Sequence, residues 1–209
     1  MATVVVQEFM SLDGVAQAPG GSDEDREGDF PYGGWATDYD DAHGDQDGGE
    51  GLIAEWESKA EALLLGRETY QIWETAWGVW PEDAPGLMGE FTRRYNRIPK
   101  FVASSTLTPA DLSWKNSHLL GDDVPDAVRR LRDEREGEIR VWGSTVLVRS
   151  LAEHDLIDEY RLMVYPIVLG TGKRLFSDGF PLSRFELAES RSLQRGVVVN
   201  TYRRAAGGD

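Results

Sequence analysis

The chain reads as an α/β protein: one mixed, mainly parallel sheet with helices on both faces, closed by a C-terminal antiparallel hairpin. Three observations predict this class. Short β-branched or leucine-rich runs alternate along the chain with segments whose apolar residues recur at helical spacing. Several apolar runs end in glycine or serine where a helical pattern begins, as in Leu65-Gly66-Arg67 and Trp142-Gly143-Ser144. The last two strand-like runs, 184–188 and 196–202, follow one another with no helix between them.

The elements follow in order. Residues 3–9 are a β-branched strand, 51–62 read as a helix, and 63–65 as a short buried strand feeding a helix that starts at Glu68. After the connection WGVWPEDAPG, residues 87–96 form a second short helix, Pro99 breaks it, and 100–103 return to the sheet. Residues 115–120 read as a further strand. Val124, Val128 and Leu131 recur at helical spacing within 124–136, with Asp122 and Asp123 suited to the N-cap. Residues 139–142 are a strand, 144–152 a helix and 159–168 an apolar strand. No internal repeat or linker interrupts this plan, so residues 1–209 read as one domain carrying an acidic, glycine-rich insertion at about 20–50.

Composition narrows the function. A length of 209 residues is enough for a full core without covalent staples, and the absence of cysteine excludes disulfides, thiol catalysis and cysteine-ligated metal. The N-terminal run has no secretory pattern and no segment reaches the ~20 apolar residues of a membrane span, so a cytoplasmic location is expected. A net charge of −15 argues against nucleic acid and anionic membrane surfaces as partners. Much of the acid lies between Ser22 and Glu57, interleaved with glycine, and reads as a solvated irregular loop. Within it His43, Asp45, Asp47 and Gly48 echo a calcium loop, but Ala54 stands where a bidentate glutamate is required, so no metal is expected. His43, His118 and His154 are too scattered for a metal triad or a serine–histidine relay.

Three strand ends carry the chemistry. Gly66-Arg67-Glu68-Thr69, Ser104-Ser105-Thr106 and Gly143-Ser144-Thr145 each follow an apolar strand, at the sheet edge where ligands bind in open α/β folds. Helix starts offer unpaired N–H groups and a positive dipole end, which suits phosphates. The dinucleotide fingerprint G-x-G-x-x-G is absent. Gly170 to Arg174 fails as a phosphate loop because Ile167 replaces its first glycine. A different nucleotide fold is required.

SLDG at 11–14, LLLGRETY, Ser-Ser-Thr-Leu after the third strand, G-S-x-x-L at 143–147 and P-x-x-L-G-x-G-x-x-L-F at 166–176 together resemble the dihydrofolate reductase-like superfamily. More narrowly the chain resembles the riboflavin-biosynthesis reductase domain, the C-terminal domain of bifunctional deaminase-reductases, in free-standing form. The resemblance spans nearly the whole chain and implies a three-layer fold, NADPH as cofactor and a small-molecule substrate. It also implies a homodimer, with the C-terminal strands as a reasonable interface.

Carried onto this sequence, the resemblance places phosphates at Gly66, Arg67 and Thr69. Arg67 with Ser104 and Ser105 would recognise the 2′-phosphate, and Gly143, Ser144, Thr145 and Val146 would cradle the pyrophosphate. The family often has two glycines at the last turn, and Ser144 replaces the second. Asp13 is the first choice for a catalytic residue touching substrate or nicotinamide, with an Asp-Gly turn as its alternative. Trp35 and Tyr39 are candidates for a substrate-binding aromatic wall, or else anchors of a polar loop. Asp40 and Asp41 fall near the region of the helix carboxylate of dihydrofolate reductases, and Trp73, Trp77 and Trp80 near the cofactor junction. Two functions remain open. One is an NADPH-dependent reductase of a heterocyclic or ribosylamine-type substrate, like 5-amino-6-(5-phosphoribosylamino)uracil reductase or dihydrofolate reductase. The other is a non-catalytic nucleotide-binding protein on the same fold.

Overall fold

The computed structural model describes residues 1–39 and 49–205. Its strands are β1 (Thr3–Ser11), β2 (Ala60–Gly66), β3 (Lys100–Ala103), β4 (Ser117–Leu119), β5 (Glu138–Trp142), β6 (Glu159–Tyr165), β7 (Phe185–Ser192) and β8 (Val198–Arg204). The helices are α1 (Gly49–Lys59), α2 (Arg67–Ala76), α3 (Gly86–Arg97), α4 (Val124–Glu134) and α5 (Thr145–Glu153). All the strands join one 8-stranded sheet in the order β4-β3-β2-β5-β1-β6-β8-β7. It is parallel from β4 to β6 and antiparallel at the β6–β8 and β8–β7 pairs, the mixed sheet with a C-terminal hairpin that the sequence predicts.

The parallel strands β1, β2, β3 and β5 carry apolar residues on both sides because helices cover both faces. Successive residues of β2 divide between them: Ala62 and Leu64 join Val4, Val6, Ile139 and Val141 under α4 and α5. Leu63 and Leu65 pack with Tyr70 of α2 and Phe91 and Tyr95 of α3 on the other face. Leu52 and Trp56 of α1 extend that second face over Met163, Tyr165 and Val199. Helix α4 is capped as expected, the Asp123 side chain accepting the Asp126 N–H at 3.0 Å.

Some boundaries differ from the sequence reading. The helix read as 51–62 gives way to strand at Ala60, since Ala60 and Ala62 are fully buried and pair with Glu138 and Ile139 of β5 across a bulge. Strand β6 stops at Tyr165 rather than 168: Pro166 has no N–H, and the Ile167 N–H turns back to the Tyr165 carbonyl at 2.8 Å. Strand β7 runs to Ser192 because its edge position demands no apolar alternation; seven of its eight residues are exposed.

The larger correction concerns the acidic segment. Up to residue 39 it is anchored rather than free: Phe30, Trp35 and Ala36 are buried in the core over Tyr165, while most residues from 22 to 29 stay exposed. The Trp35 indole N–H donates to the Gln17 carbonyl (2.8 Å) and the Gly34 N–H to the Ala18 carbonyl (2.8 Å). At Gly33 a Cβ would stand 2.5 Å from the Ser22 carbonyl oxygen, so this turn closes only with glycine. From Gly49 the segment is helix α1. His43, Asp45, Asp47 and Gly48 lie outside the described residues.

Candidate active site

Adjacent strands β2 and β5 deliver α2 and α5 side by side. Neither helix has a side-chain cap, so the first-turn N–H groups of both point outward from the sheet edge without intrahelical partners. Instead the loops are stitched together: the Gly66 N–H donates to Ser144 Oγ (2.9 Å), and the Ser144 N–H donates to Thr69 Oγ1 (3.0 Å). Gly143 (φ 52°) and Ser144 (φ 55°) are both left-handed, and a Cβ on Gly143 would lie 3.1 Å from Thr69 Oγ1. Ser144 tolerates the conformation because its hydroxyl and N–H are both engaged.

Strand β3 lies on the other side of β2 and ends at the third junction. There Ser104 Oγ accepts the N–H groups of Thr106 (3.1 Å) and Leu107 (2.9 Å), bending the chain so that Ser104 and Ser105 face the same cleft. All nine residues expected at the cofactor line that cleft: Gly66, Arg67, Thr69, Ser104, Ser105, Gly143, Ser144, Thr145 and Val146. Its volume of about 1980 Å³ is roughly twice the ~1,000 Å³ at the upper end for single small-ligand pockets, so it has room for a dinucleotide and a second ligand.

Beyond these junctions the cleft becomes aromatic, walled by Phe9, Trp73, Trp77, Phe91, Tyr95 and Trp142. Trp73 bridges it, with ring centroids 5.8 Å from Trp142, 5.4 Å from Tyr95 and 6.0 Å from Trp77. Trp142 is held by its indole N–H, which donates to Glu57 of α1 (3.0 Å); Glu57 in turn pairs with fully buried Arg140 (3.2 Å).

Sequence reasoning missed Glu8. It lies on β1 in the cleft wall, only 2% exposed, with Oε1 accepting the Phe9 N–H (3.0 Å) and Oε2 buried without a partner. Burial pushes its carboxyl up to about 8; the Phe9 N–H opposes this, the charge of Glu24 adds to it, and the Gly143 N–H opposes it. Glu8 is therefore largely protonated at neutral pH. A lone acid in the apolar run VVVQEFM was the available signal. Glu24, also in the wall and raised by burial, anchors the 20–25 turn by accepting the N–H groups of Gly20 (2.6 Å) and Gly21 (3.0 Å).

Lys173 was also missed. Its ammonium meets Asp25 (2.7 Å), Glu27 (2.6 Å) and Glu68 (3.3 Å), tying the acidic segment to the first turn of α2 across the cleft. Desolvation works against its charge, but these carboxylates raise its pKa above the ordinary lysine value.

The structure places the residues expected at the substrate outside the cleft lining. Asp13 is not in the cleft wall: Oδ1 accepts the Ser11 hydroxyl (2.8 Å) and the Leu169 N–H (3.0 Å), and Oδ2 accepts the Gly170 N–H (2.9 Å). Desolvation raises its pKa, yet those donors win and hold the carboxyl down to about 2. It clamps the SLDG turn to the loop after β6. Trp35 and Tyr39 likewise turn away from the cleft and pack edge-on against Tyr165, with centroids at 5.4 and 5.5 Å. An aromatic wall does exist, but α2, α3, β1 and β5 build it. Asp40 and Asp41 lie outside the described residues. Among the described residues no cluster of His, Asp or Glu could hold a metal, and no helix is long and apolar enough to cross a membrane.

A mixed sheet whose parallel strands end in two uncapped, mutually stitched helix starts above one large cleft defines a dihydrofolate reductase-like α/β protein. The chain belongs to the RibD C-terminal domain family, whose model matches residues 2–199. Three solved structures share the fold. A putative riboflavin biosynthesis protein from Shewanella sp. PV-4 superposes with a TM-score of 0.69 at 22% identity, covering 99% of this chain and 100% of that one. The Thermotoga maritima diaminohydroxyphosphoribosylaminopyrimidine deaminase/5-amino-6-(5-phosphoribosylamino)uracil reductase gives 0.61 at 15% identity, over 98% of this chain and 57% of that one. Enterococcus faecalis dihydrofolate reductase, complexed with NADP(H) and RAB-propyl, gives 0.56 at 14% identity, over 98% and 97%.

Proposed function

We propose that the chain is an NADPH-dependent reductase of a small heterocyclic or ribosylamine-type substrate. The observation that carries this reading is the Gly66–Ser144–Thr69 stitch, which sets two uncapped helix starts beside Arg67 and the Ser104-Ser105 turn. The residues present fit the cofactor. The N–H groups of α2 and α5 and the dipoles behind them suit a pyrophosphate, and Arg67, whose guanidinium is about half exposed and among the described residues bonds only to neighbouring Glu68 (3.0 Å), suits a terminal phosphate. The dinucleotide, when bound, supplies a hydride for a C=N or C=O carbon. Glu8 holds the matching proton: its protonated carboxyl lies in the same wall beside Gly143, and donation to the substrate heteroatom would leave a carboxylate that solvent reprotonates. The aromatic compartment binds the planar substrate and excludes water. A second copy of the chain is the proposed partner, meeting at the exposed sheet edge β7, where Leu187 is 57% exposed; size-exclusion chromatography reading a monomer would refute that.

Titration with NADPH and NADH, followed by tryptophan quenching and energy transfer to the reduced nicotinamide, tests the reading. The expected result is a preference for NADPH of about tenfold, equivalent to ~1.4 kcal/mol. Absence of binding by either nucleotide refutes it.

A further inference from the structure

The charges around the cleft are unevenly placed. Among the described residues its lining bases are Arg67, Arg149, Lys173 and Arg174. Arg67 begins α2 and Arg149 lies on α5, so both belong to the side of the phosphate-binding helix starts. Lys173 is already surrounded by three carboxylates, and Arg174 binds the carbonyl (2.9 Å) and carboxylate (3.4 Å) of Asp13. The aromatic compartment, walled by Phe9, Trp73, Trp77, Tyr95 and Trp142, contributes no base of its own.

Nor can the undescribed residues supply a lysine or arginine, since 40–48 and 206–209 contain neither. The basic side chains of α3 are turned to other work. Arg93 donates to the Glu82 carbonyl (2.6 Å), Arg94 to the carbonyls of Ser58 (2.7 Å) and Ala60 (2.5 Å), and Arg97 does not line the cleft. Acids, by contrast, do reach the cleft, at Asp23, Glu24, Asp25, Glu27, Glu68 and Asp122, while Glu8 adds a protonated carboxyl. A substrate bearing a phosphate would find its counter-charges already taken by the cofactor or by carboxylates.

We propose that the substrate of this cleft is a planar, unphosphorylated heterocycle, uncharged or cationic, that stacks on the Trp73–Trp142 wall. The proposal rests on the reductase reading and departs from a phosphoribosylated substrate such as the Thermotoga maritima enzyme's name specifies. Planar rings with a polarised face gain from stacking on tryptophan, and a cationic ring gains more.

Riboflavin and its 5′-phosphate make a matched probe pair, differing by one phosphate on the same planar ring. Each is titrated into the protein, with and without saturating NADP⁺, following loss of flavin emission. Riboflavin is expected to bind at least tenfold more tightly than its phosphate. Thr75→Arg places a cation at an exposed α2 position in the cleft lining and is expected to close most of that gap without weakening riboflavin. Equal or tighter binding of the phosphate by the parent protein overturns the proposal, as does failure of riboflavin to bind or a Thr75→Arg variant that leaves the ratio unchanged. NADPH titration of the same preparation is read separately. Loss of nucleotide binding refutes the reductase reading, whereas normal NADPH binding with the wrong flavin order refutes only the substrate class.

Discussion

Ser144 Oγ accepts the Gly66 N–H at 2.9 Å across two neighbouring strands, although Ser144 itself is left-handed at φ 55°. A side chain at such a φ costs about 1–2 kcal/mol, and the hydroxyl bond offsets part of it. Ser144→Ala keeps the strain and loses the bond, so a loss of about 1–2 kcal/mol in urea denaturation is expected, together with weaker NADPH binding. Ser144→Gly relaxes the strain and is expected to stay within about 0.5 kcal/mol of the parent. An alanine variant as stable as the parent would show that the stitch contributes nothing.

Arg67 is exposed, and among the described residues its one hydrogen bond is to adjacent Glu68, so its removal should disturb the fold little. Arg67→Ala is expected to weaken NADPH about tenfold or more while changing NADH less than about twofold, since only NADPH carries the 2′-phosphate. Parallel fluorescence titrations decide. An equal loss for both nucleotides would move the 2′-phosphate away from Arg67.

The strand-end side of the cleft was legible in the sequence because it is built from local signals: an apolar run and a small residue, repeated at Gly66, Ser104 and Gly143. The aromatic side was not. Phe9, Trp73, Tyr95 and Trp142 come from separate elements, and only the sheet order brings them together. The structural engagement of Asp13 was hidden for a related reason. An Asp-Gly turn after a first strand looks available for chemistry, while its partners Leu169 and Gly170 lie more than 150 positions away, at separations of 156 and 157. Likewise the glycine and acid content of 20–39 suggested a solvated loop, whereas Phe30 and Trp35 anchor the segment against Tyr165.

Glu8 should govern how stability changes above acid pH. Its folded pKa is about 8 against an ordinary 4.5, so between those values the folded state holds a proton that the unfolded chain has released. The stabilisation from this group is fully present below about pH 4.5 and is lost as pH rises through about 8. Urea midpoints measured from pH 5 to 9 should therefore fall for the parent protein and fall less for Glu8→Gln, which is neutral throughout. Identical slopes for the two proteins would mean that the carboxyl does not titrate in this range. The same variant keeps its hydrogen-bonding shape but cannot donate an acid proton, so its NADPH affinity should stay within about twofold while reductive turnover drops by ~10²-fold or more.

The buried ladder behind the aromatic wall gives the last test. Arg140 is fully buried between Glu57 (3.2 Å) and Glu138, and Glu57 also fixes the Trp142 indole at 3.0 Å. Desolvation lowers the Arg140 pKa, while the charge of Glu57 is the largest influence restoring it. Arg140→Met strands a carboxylate at full burial and is expected to cost about 3–5 kcal/mol. Glu57→Gln still offers an oxygen to Trp142, and Glu138 still answers Arg140, so a smaller loss is expected. The double variant removes the stranded charge as well and should be more stable than the sum of the single losses predicts, by at least ~1 kcal/mol. Strict additivity in urea denaturation would show that Arg140 and Glu57 act independently.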